Sequence, residues 1–422
     1  MIKQLKPKSE FSRNVINLIT GTTIAQAIPF AAAPILTRLY SPEEFGMFAF
    51  YSAIVSIFAV LATARYELAI VLPKRKSDAY QIVILSWAIT TIISFFAFLF
   101  IWLLDYHIVR LLNNPNIAQW LYWIPISIFL MGIYQPLYYW FNREKEYKHM
   151  ANSRIVQSSA LAASQIFIGL LTKLSASGLI LGQLTAQIIA SFYMGRKFFK
   201  NTYGAHKPHK LKQLVLAKKY INFPKFLLVS HTMNAASRQL PNIFFNILLT
   251  ASVAGYYLLV QRVIGVPMTV VGGAIGDVFR QEASQAYAER GECKAEYKST
   301  LKKLLLISIA PFAVFFFKAP DLFAMVFGAE WREAGEYARI LTPMFMLQFI
   351  SSPLANMYLI AKKQKEDLYL NSLIFIFTFF PFLLVYYFSI DITRMLYMFS
   401  FIYSFLYLIN LFMTYRFTKG AL

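Results

Sequence analysis

Charge is scarce in this chain of 422 residues: Asp, Glu, Lys and Arg together make up 14%, against 58% hydrophobic and 17% aromatic. A water-soluble protein of that length needs a far more charged surface, so a cytosolic or secreted globular enzyme is excluded. The single Cys293 rules out a disulfide within the chain, and five scattered histidines offer no metal-ligand spacing. No Gly-rich P-loop occurs, so ATP hydrolysis is not expected of it. The longest polar stretch, Gly195 to about Phe223, is too short for an independent catalytic domain. His231 has no visible Ser or Cys nucleophile beside it. The expectation is a protein without catalytic residues, metal or bound cofactor. Lys3, Lys6, Lys8 and Arg13 lead into a full-length apolar span with no A-x-A cleavage site, so no signal peptide is expected.

What the chain does hold is apolar runs. A membrane helix needs about 20 apolar residues, and mean hydropathy is +0.51. Runs near 13–37, 45–70, 80–104, 117–141, 152–172, 176–198, 224–249, 253–279, 300–318, 337–361, 368–388 and 393–415 predict an all-α integral membrane protein of about 12 transmembrane helices. With both termini in the cytoplasm, and bases near span ends counted with the side they adjoin, 31 of the 41 basic residues fall inside, seven outside and three deep within spans. The excess of bases is therefore topology, as the positive-inside rule expects, and no nucleic-acid partner is needed. Trp102, Trp120 and Trp123 fall at outer span ends and Trp140 at an inner one, as interfacial belts would place them.

The halves look duplicated. At an offset of 209 the turn from Tyr40 to Gly46 falls over Leu249 to Gly255, Gln26 lies within one residue of Asn234, and Glu67 within one of Asp277. At 217, Pro136-Leu137 matches Pro353-Leu354 and Lys145 matches Lys362. Six spans per half give a parallel repeat about an axis along the membrane normal. The expected organisation is an N-terminal six-helix lobe at 1–198, a linker at 199–223 and a C-terminal six-helix lobe at 224–422. Lys210, Lys212, Lys218 and Lys219 make the linker a basic interfacial helix from Leu211 to Tyr220, where membrane lipids with anionic headgroups would dock.

Two helical faces stand out. In span 8, Arg262, Gly265, Thr269, Gly272, Gly276 and Arg280 recur at helical spacing, and in span 7 so do Ser230, Asn234, Arg238, Asn242 and Asn246. Small and polar residues alone can mean no more than close helix packing. Arginine is different, because one at the centre of a span costs roughly 2.5–3.5 kcal/mol even on insertion scales. Arg238 and Arg262 lie too deep to snorkel, and the acids available to neutralise them, Glu67 and Asp277, lie near the cytoplasmic end. A wet cationic cavity that receives an anion is the expectation, since guanidinium suits bidentate phosphate or carboxylate contact. Arg65 with Glu67 and Asp277 with Arg280 form two charge clusters at the inner mouths, read as a cytoplasmic gate or as interfacial anchors. Arg38 with Glu43 and Glu44 is the corresponding outer latch. Pro29, Pro34, Pro241, Pro267, Pro343 and Pro353 interrupt spans, as in helices that bend.

The stretches Asn14 to Gly21, Pro34 to Gly46 (PILTRLYSPEEFG) and Arg65 to Ile70 (RYELAI) resemble the bacterial polysaccharide and O-antigen flippases. So do Phe223-Pro224, Arg238 to Pro241, Gly255 to Tyr257 and Gln261 to Pro267, and the likeness runs over essentially the whole chain. The resemblance implies the multidrug/oligosaccharidyl-lipid/polysaccharide exporter superfamily, with two lobes in a V around a central cavity. It implies transport of an undecaprenyl-diphosphate-linked oligosaccharide across the inner membrane, with polysaccharide polymerase and chain-length machinery as candidate partners. On that reading Arg238 and Arg262 hold the diphosphate, while Gln26, Asn234 and Asn242 bond sugar hydroxyls. Resetting is expected through protons or sodium acting at Glu67 or Asp277. A drug/cation exporter of the same superfamily would want acids deep in the first lobe, where this chain has arginines. A polysaccharide polymerase would need a large outer loop, and the longest here, near Ala319 to Glu336, is short and net acidic.

Overall fold

The computed structural model describes residues 10–112, 118–171, 176–202 and 207–419; Lys3, Lys6 and Lys8 lie outside them. Apart from an isolated bridge between Glu292 and Lys419, every regular element described is helical. The twelve expected spans correspond to α1 (Glu10–Leu39), α2 (Pro42–Leu61), α3 (Lys76–Leu112), α5 (Trp123–Arg143), α6 (Tyr147–Leu171), α7 (Ser177–Thr202), α9 (Val229–Phe244), α10 (Ala251–Pro267) continued by α11 (Gly273–Arg290), α12 (Lys294–Phe327), α13 (Arg332–Leu354), α15 (Gln364–Phe388) and α16 (Ile392–Arg416). Short helices α4 (Ala118–Leu121), α8 (Lys210–Lys219) and α14 (Met357–Ile360) lie between them. Among the described residues, eight segments are long and apolar enough to cross a membrane. This is a multi-pass, all-α membrane protein.

One span is shorter than its hydropathy suggests. The apolar run to residue 70 reads as continuous, yet α2 stops at Leu61. Ala64 and Arg65 take positive φ values of 48° and 64°, a left-handed pair that no α-helix carries. The chain then turns into a 3-10 helix, Tyr66–Val71, whose Tyr66, Glu67, Ala69 and Ile70 are buried. The hydrophobicity of that segment serves packing and not contact with lipid.

The described chain forms two compact units. One takes the chain up to Tyr40 and then Met47–Gln239; the other takes Ser41–Gly46 and the chain from Leu240 onward. The dividing point lies inside α9. These limits reflect packing, whereas the expected lobe limits at 198 and 224 follow membrane crossings. In the first unit α6 lies between α1 and α7, and α5 packs on α3, α7 and the 3-10 helix. Its aromatic core has Trp140 edge-on to Phe198 at 5.1 Å and Tyr80 stacked on Phe198 at 6.0 Å. Trp140 is fully buried there, so it is a core residue and not a member of an interfacial belt. In the second unit α13 is central, packed by α10, α11, α12 and α16.

The repeat is visible in backbone detail. Ser41 caps α2 by accepting from Glu44 N at 3.3 Å, and Thr250, 209 residues on, caps α10 by accepting from Val253 N at the same distance. Both caps lie in the second unit, and there the two helix starts cross. A Cβ on Gly46 would sit 1.7 Å from Ala251 O, and one on Gly255 would sit 1.9 Å from Pro42 O. Residues 42 and 46 exchange with 251 and 255, so the contact is its own image under the repeat. Lys145 and Lys362 share φ values of 58° and 57°. Each closes a helix end in the same way, with Lys145 N to Asn142 O and Glu146 N to Phe141 O answered by Lys362 N to Leu359 O and Lys363 N to Tyr358 O.

Two of the prolines inside helices are followed by π segments, while Pro343 and Pro353 lie within the continuous α13. Helix α1 runs on through Pro29 and Pro34. By contrast, Pro241 is followed by a π segment at Phe245–Leu249, and Met268–Gly272 is another, directly after Pro267. Loss of a proline N–H from the ladder favours such local widening.

Candidate functional site

A cavity of about 270 Å³ lies in the first unit between the end of α2 and α9. Ser56 and Val60 line it from α2, Arg65 from the left-handed turn, and His231, Asn234, Ala235, Arg238 and Gln239 from α9. Positions 231, 234, 235 and 238 fall on one helical face. Of the polar stripe read from the sequence, Asn234 and Arg238 line this cavity, whereas Ser230 does not and Asn242 and Asn246 belong to the second unit. Arg65 Nη1 lies 3.1 Å from Glu67 Oε1, while Arg65 Nε is buried without a hydrogen-bond partner. Glu67 is fully buried and its other oxygen accepts from Thr63 Oγ1. Arg238 is exposed, and among the described residues no carboxylate pairs with it. The wall therefore carries one compensated and one uncompensated guanidinium, and no carboxylate.

Arg65 also lines a second cavity of the same unit, about 360 Å³. Its other walls are Met131, Tyr134, Gln135, Tyr138 and Tyr139 of α5, Arg154 and Gln157 of α6, and Gln187 of α7. Arg154 lies over the Tyr138 ring at 4.9 Å and donates to Thr22 Oγ1 at 2.9 Å. Sequence reasoning did not single out this group. Its signal is the spacing 131, 134, 135, 138 on one face of α5, which reads as an aromatic packing stripe until Arg154 is placed beside it.

The remaining candidates lie elsewhere. Gln26 is half-buried on α1 and lines neither cavity. In the second unit, Asn242 is buried and donates to Gln261 Oε1 at 3.2 Å. Arg262 stands 5.6 Å from the centre of the Phe45 ring, which is itself edge-on to Trp331 at 4.8 Å. Asp277 pairs with Arg280 at 3.0 Å, both half-exposed. Of the expected outer latch, Arg38 donates to Pro34 O at 2.8 Å, and Glu44 accepts from Ser41 N at 2.7 Å as half of a capping box. On α10 and α11 the small-residue stripe divides. A Cβ on Gly265 would meet nothing within 4 Å, whereas one on Gly276 would touch Pro353 at 3.3 Å.

A family model described as "Polysaccharide biosynthesis protein" matches residues 35–336. The comparison with curated proteins gives no match. Among solved structures, an inward-facing multidrug resistance MATE family transporter of the MOP superfamily superposes with a TM-score of 0.73 at 13% identity, covering 94% of this chain and 97% of that one. The MATE multidrug transporter DinF-BH gives 0.62 at 15% identity over 95% and 94%. A MOP superfamily transporter from Pyrococcus furiosus Vc1, described as having a binding pocket of reverse polarity, gives 0.55 at 13% over 95% and 94%. Likeness at these identities concerns the fold, which is that of the MOP superfamily transporters.

Proposed function

Since this chain belongs to the polysaccharide biosynthesis protein family, we propose that it is a flippase for lipid-linked oligosaccharides of O-antigen or another surface polysaccharide. Its substrate is an undecaprenyl-diphosphate-linked repeat unit, moved from the cytoplasmic to the periplasmic leaflet of the bacterial inner membrane. The observation that carries the reading is the cavity that gathers Arg65, Arg238 and Asn234 with no carboxylate on its wall. Such a wall suits a diphosphate and repels a cation, which disfavours a cationic drug as cargo.

The lipid sets the path. The tail has about 55 carbons, and at roughly 0.8 kcal/mol per buried CH₂ its removal from the bilayer would cost tens of kcal/mol. Only the headgroup can cross. Arg238 takes one phosphate with an unpaired guanidinium, and Asn234, one turn away, bonds a neighbouring hydroxyl. Arg65, paired with Glu67 at 3.1 Å, stands beside the second phosphate, and coupling to protons or sodium through Glu67 or Asp277 is part of the same proposal. Outward movement of negative charge gains about 2.3 kcal/mol per charge per 100 mV of inside-negative potential. Arg262 and Asn242 are proposed, within their own unit, to contact the same class of cargo, and membrane lipids to meet the basic helix α8.

The test is a strain lacking this gene, complemented by wild type or by Arg238→Ala at equal expression. Loss of one charge-assisted contact worth about 1.5–3 kcal/mol should lower surface polymer roughly ten- to hundred-fold, with lipid-linked units accumulating in the inner leaflet. Normal surface polysaccharide in the deletion strain, accompanied by altered drug tolerance, would overturn the reading.

A further inference from the structure

The second cavity has chemistry that a diphosphate alone does not satisfy. Three buried polar atoms on its wall have no hydrogen-bond partner: Gln135 Oε1, Gln187 Oε1 and Arg65 Nε. Gln187 is buried, with 5% of its surface exposed, so bulk water does not serve its amide oxygen. Two of the three orphans are acceptors and need a ligand that donates, as hydroxyl groups do; the third is a cationic donor. Each left empty carries an uncompensated desolvation cost, and a cavity in this volume range is of ligand size.

Charge narrows the choice further. Arg65 is balanced by Glu67, whereas Arg154 has no acid partner among the described residues, only Thr22 and the ring of Tyr138. The cavity wall with Glu67 behind it is thus one positive charge in excess, which matches a monoanion. Tyr134 and Tyr138, with centroids 6.1 Å apart and planes 33° from parallel, offer ring faces to the C–H side of a pyranose. Tyr134 is fixed by Ser153, its hydroxyl 2.7 Å from Ser153 Oγ.

We propose that this cavity is a sugar subsite selective for a carboxylate-bearing monosaccharide, such as a hexuronate, within the transported repeat unit. Arg154 takes the carboxylate, Gln135 and Gln187 accept from ring hydroxyls, and Arg65 Nε donates to a sugar oxygen. The inference rests on the flippase reading, with Arg65 standing between the diphosphate and the first sugars. It adds what that reading lacks, the class of glycan.

Saturation-transfer NMR on the purified full chain in nanodiscs tests it, using sodium D-glucuronate, D-glucose, glucose 1-phosphate and inorganic diphosphate as separate probes. Glucuronate should bind at least ten-fold tighter than glucose. Arg154→Gln should erase that difference, Arg154→Lys should keep most of it, and Gln187→Leu should weaken both sugars while leaving diphosphate binding unchanged. Equal affinity for glucuronate and glucose, or a preference that survives Arg154→Gln, would overturn the proposal. So would tighter binding of glucose 1-phosphate than of glucuronate, which would make the subsite one for a sugar phosphate. Failure of diphosphate alone to bind would instead count against the flippase reading, and thermal unfolding of each variant separates misfolding from loss of binding.

Discussion

Glu67 is the only fully buried acid among the described residues, and its two oxygens are divided between Thr63 and Arg65. Glu67→Gln keeps the shape and the Thr63 contact but leaves the Arg65 guanidinium without a counter-charge. Breaking one side of a buried pair typically costs about 3–5 kcal/mol, and the 16% exposure of the Arg65 side chain puts the expected loss at the lower end. Thermal unfolding in detergent should show a clearly lower midpoint; a midpoint equal to wild type would mean that the pair is not structural. The depth of Arg238 in its span and the i+3/i+4 recurrence of Asn234 were legible in the sequence, because a mid-span arginine has few explanations and helical spacing fixes a face. Arg154 was not. It stands close to a span end, where snorkelling explains a basic residue, and its tyrosine partners read as packing. The neighbour of Arg262 was equally invisible, since Phe45 approaches it only through the crossing of two helix starts from opposite halves of the sequence.

That crossing gives α2 and α10 a sharp steric requirement. Gly46 and Gly255 allow two helix starts to touch backbone to backbone, and an added methyl at either would overlap a carbonyl oxygen outright. Gly46→Ala and Gly255→Ala should each destabilise by more than the roughly 1–3 kcal/mol of ordinary overpacking. Gly265→Ala, with open space around the new Cβ, should be neutral or gain up to about 1 kcal/mol of helix propensity. Yields of monodisperse protein and unfolding midpoints of the three variants check this; equal behaviour of all three would contradict the close approach. The repeat was readable at this level because caps and left-handed C-termini leave sequence marks, Ser41 and Thr250 at one end and Lys145 and Lys362 at the other. The stop in α2 was not readable. RYELAI is as apolar as a span terminus, and only the burial of Tyr66, Ala69 and Ile70 in their own unit shows that protein, and not lipid, surrounds it.

The excess of 41 basic over 20 acidic residues fits a chain whose two membrane faces differ in charge. The proposed orientation puts α8 and the loop before α12 in the cytoplasm, with the acidic loop between α12 and α13 outside. Cysteine labelling can read this orientation in the native background, because the one native thiol is silent. Cys293 is fully buried against Met357, with Sγ 3.5 Å from Sδ, and burial pushes its thiol up to about 11 from an ordinary 9.0. A raised pKa favours the neutral form, so at pH 7.5 the reactive thiolate is roughly a hundred-fold scarcer than for a free thiol. A membrane-impermeant maleimide should therefore label Glu330→Cys in intact spheroplasts and Lys218→Cys only after lysis, with wild type unlabelled in both. The opposite pattern would put the basic face outside. A headgroup loaded from that side would then move inward, against both the membrane potential and the direction of surface polysaccharide assembly, so a reversed result would remove the export proposal along with the topology.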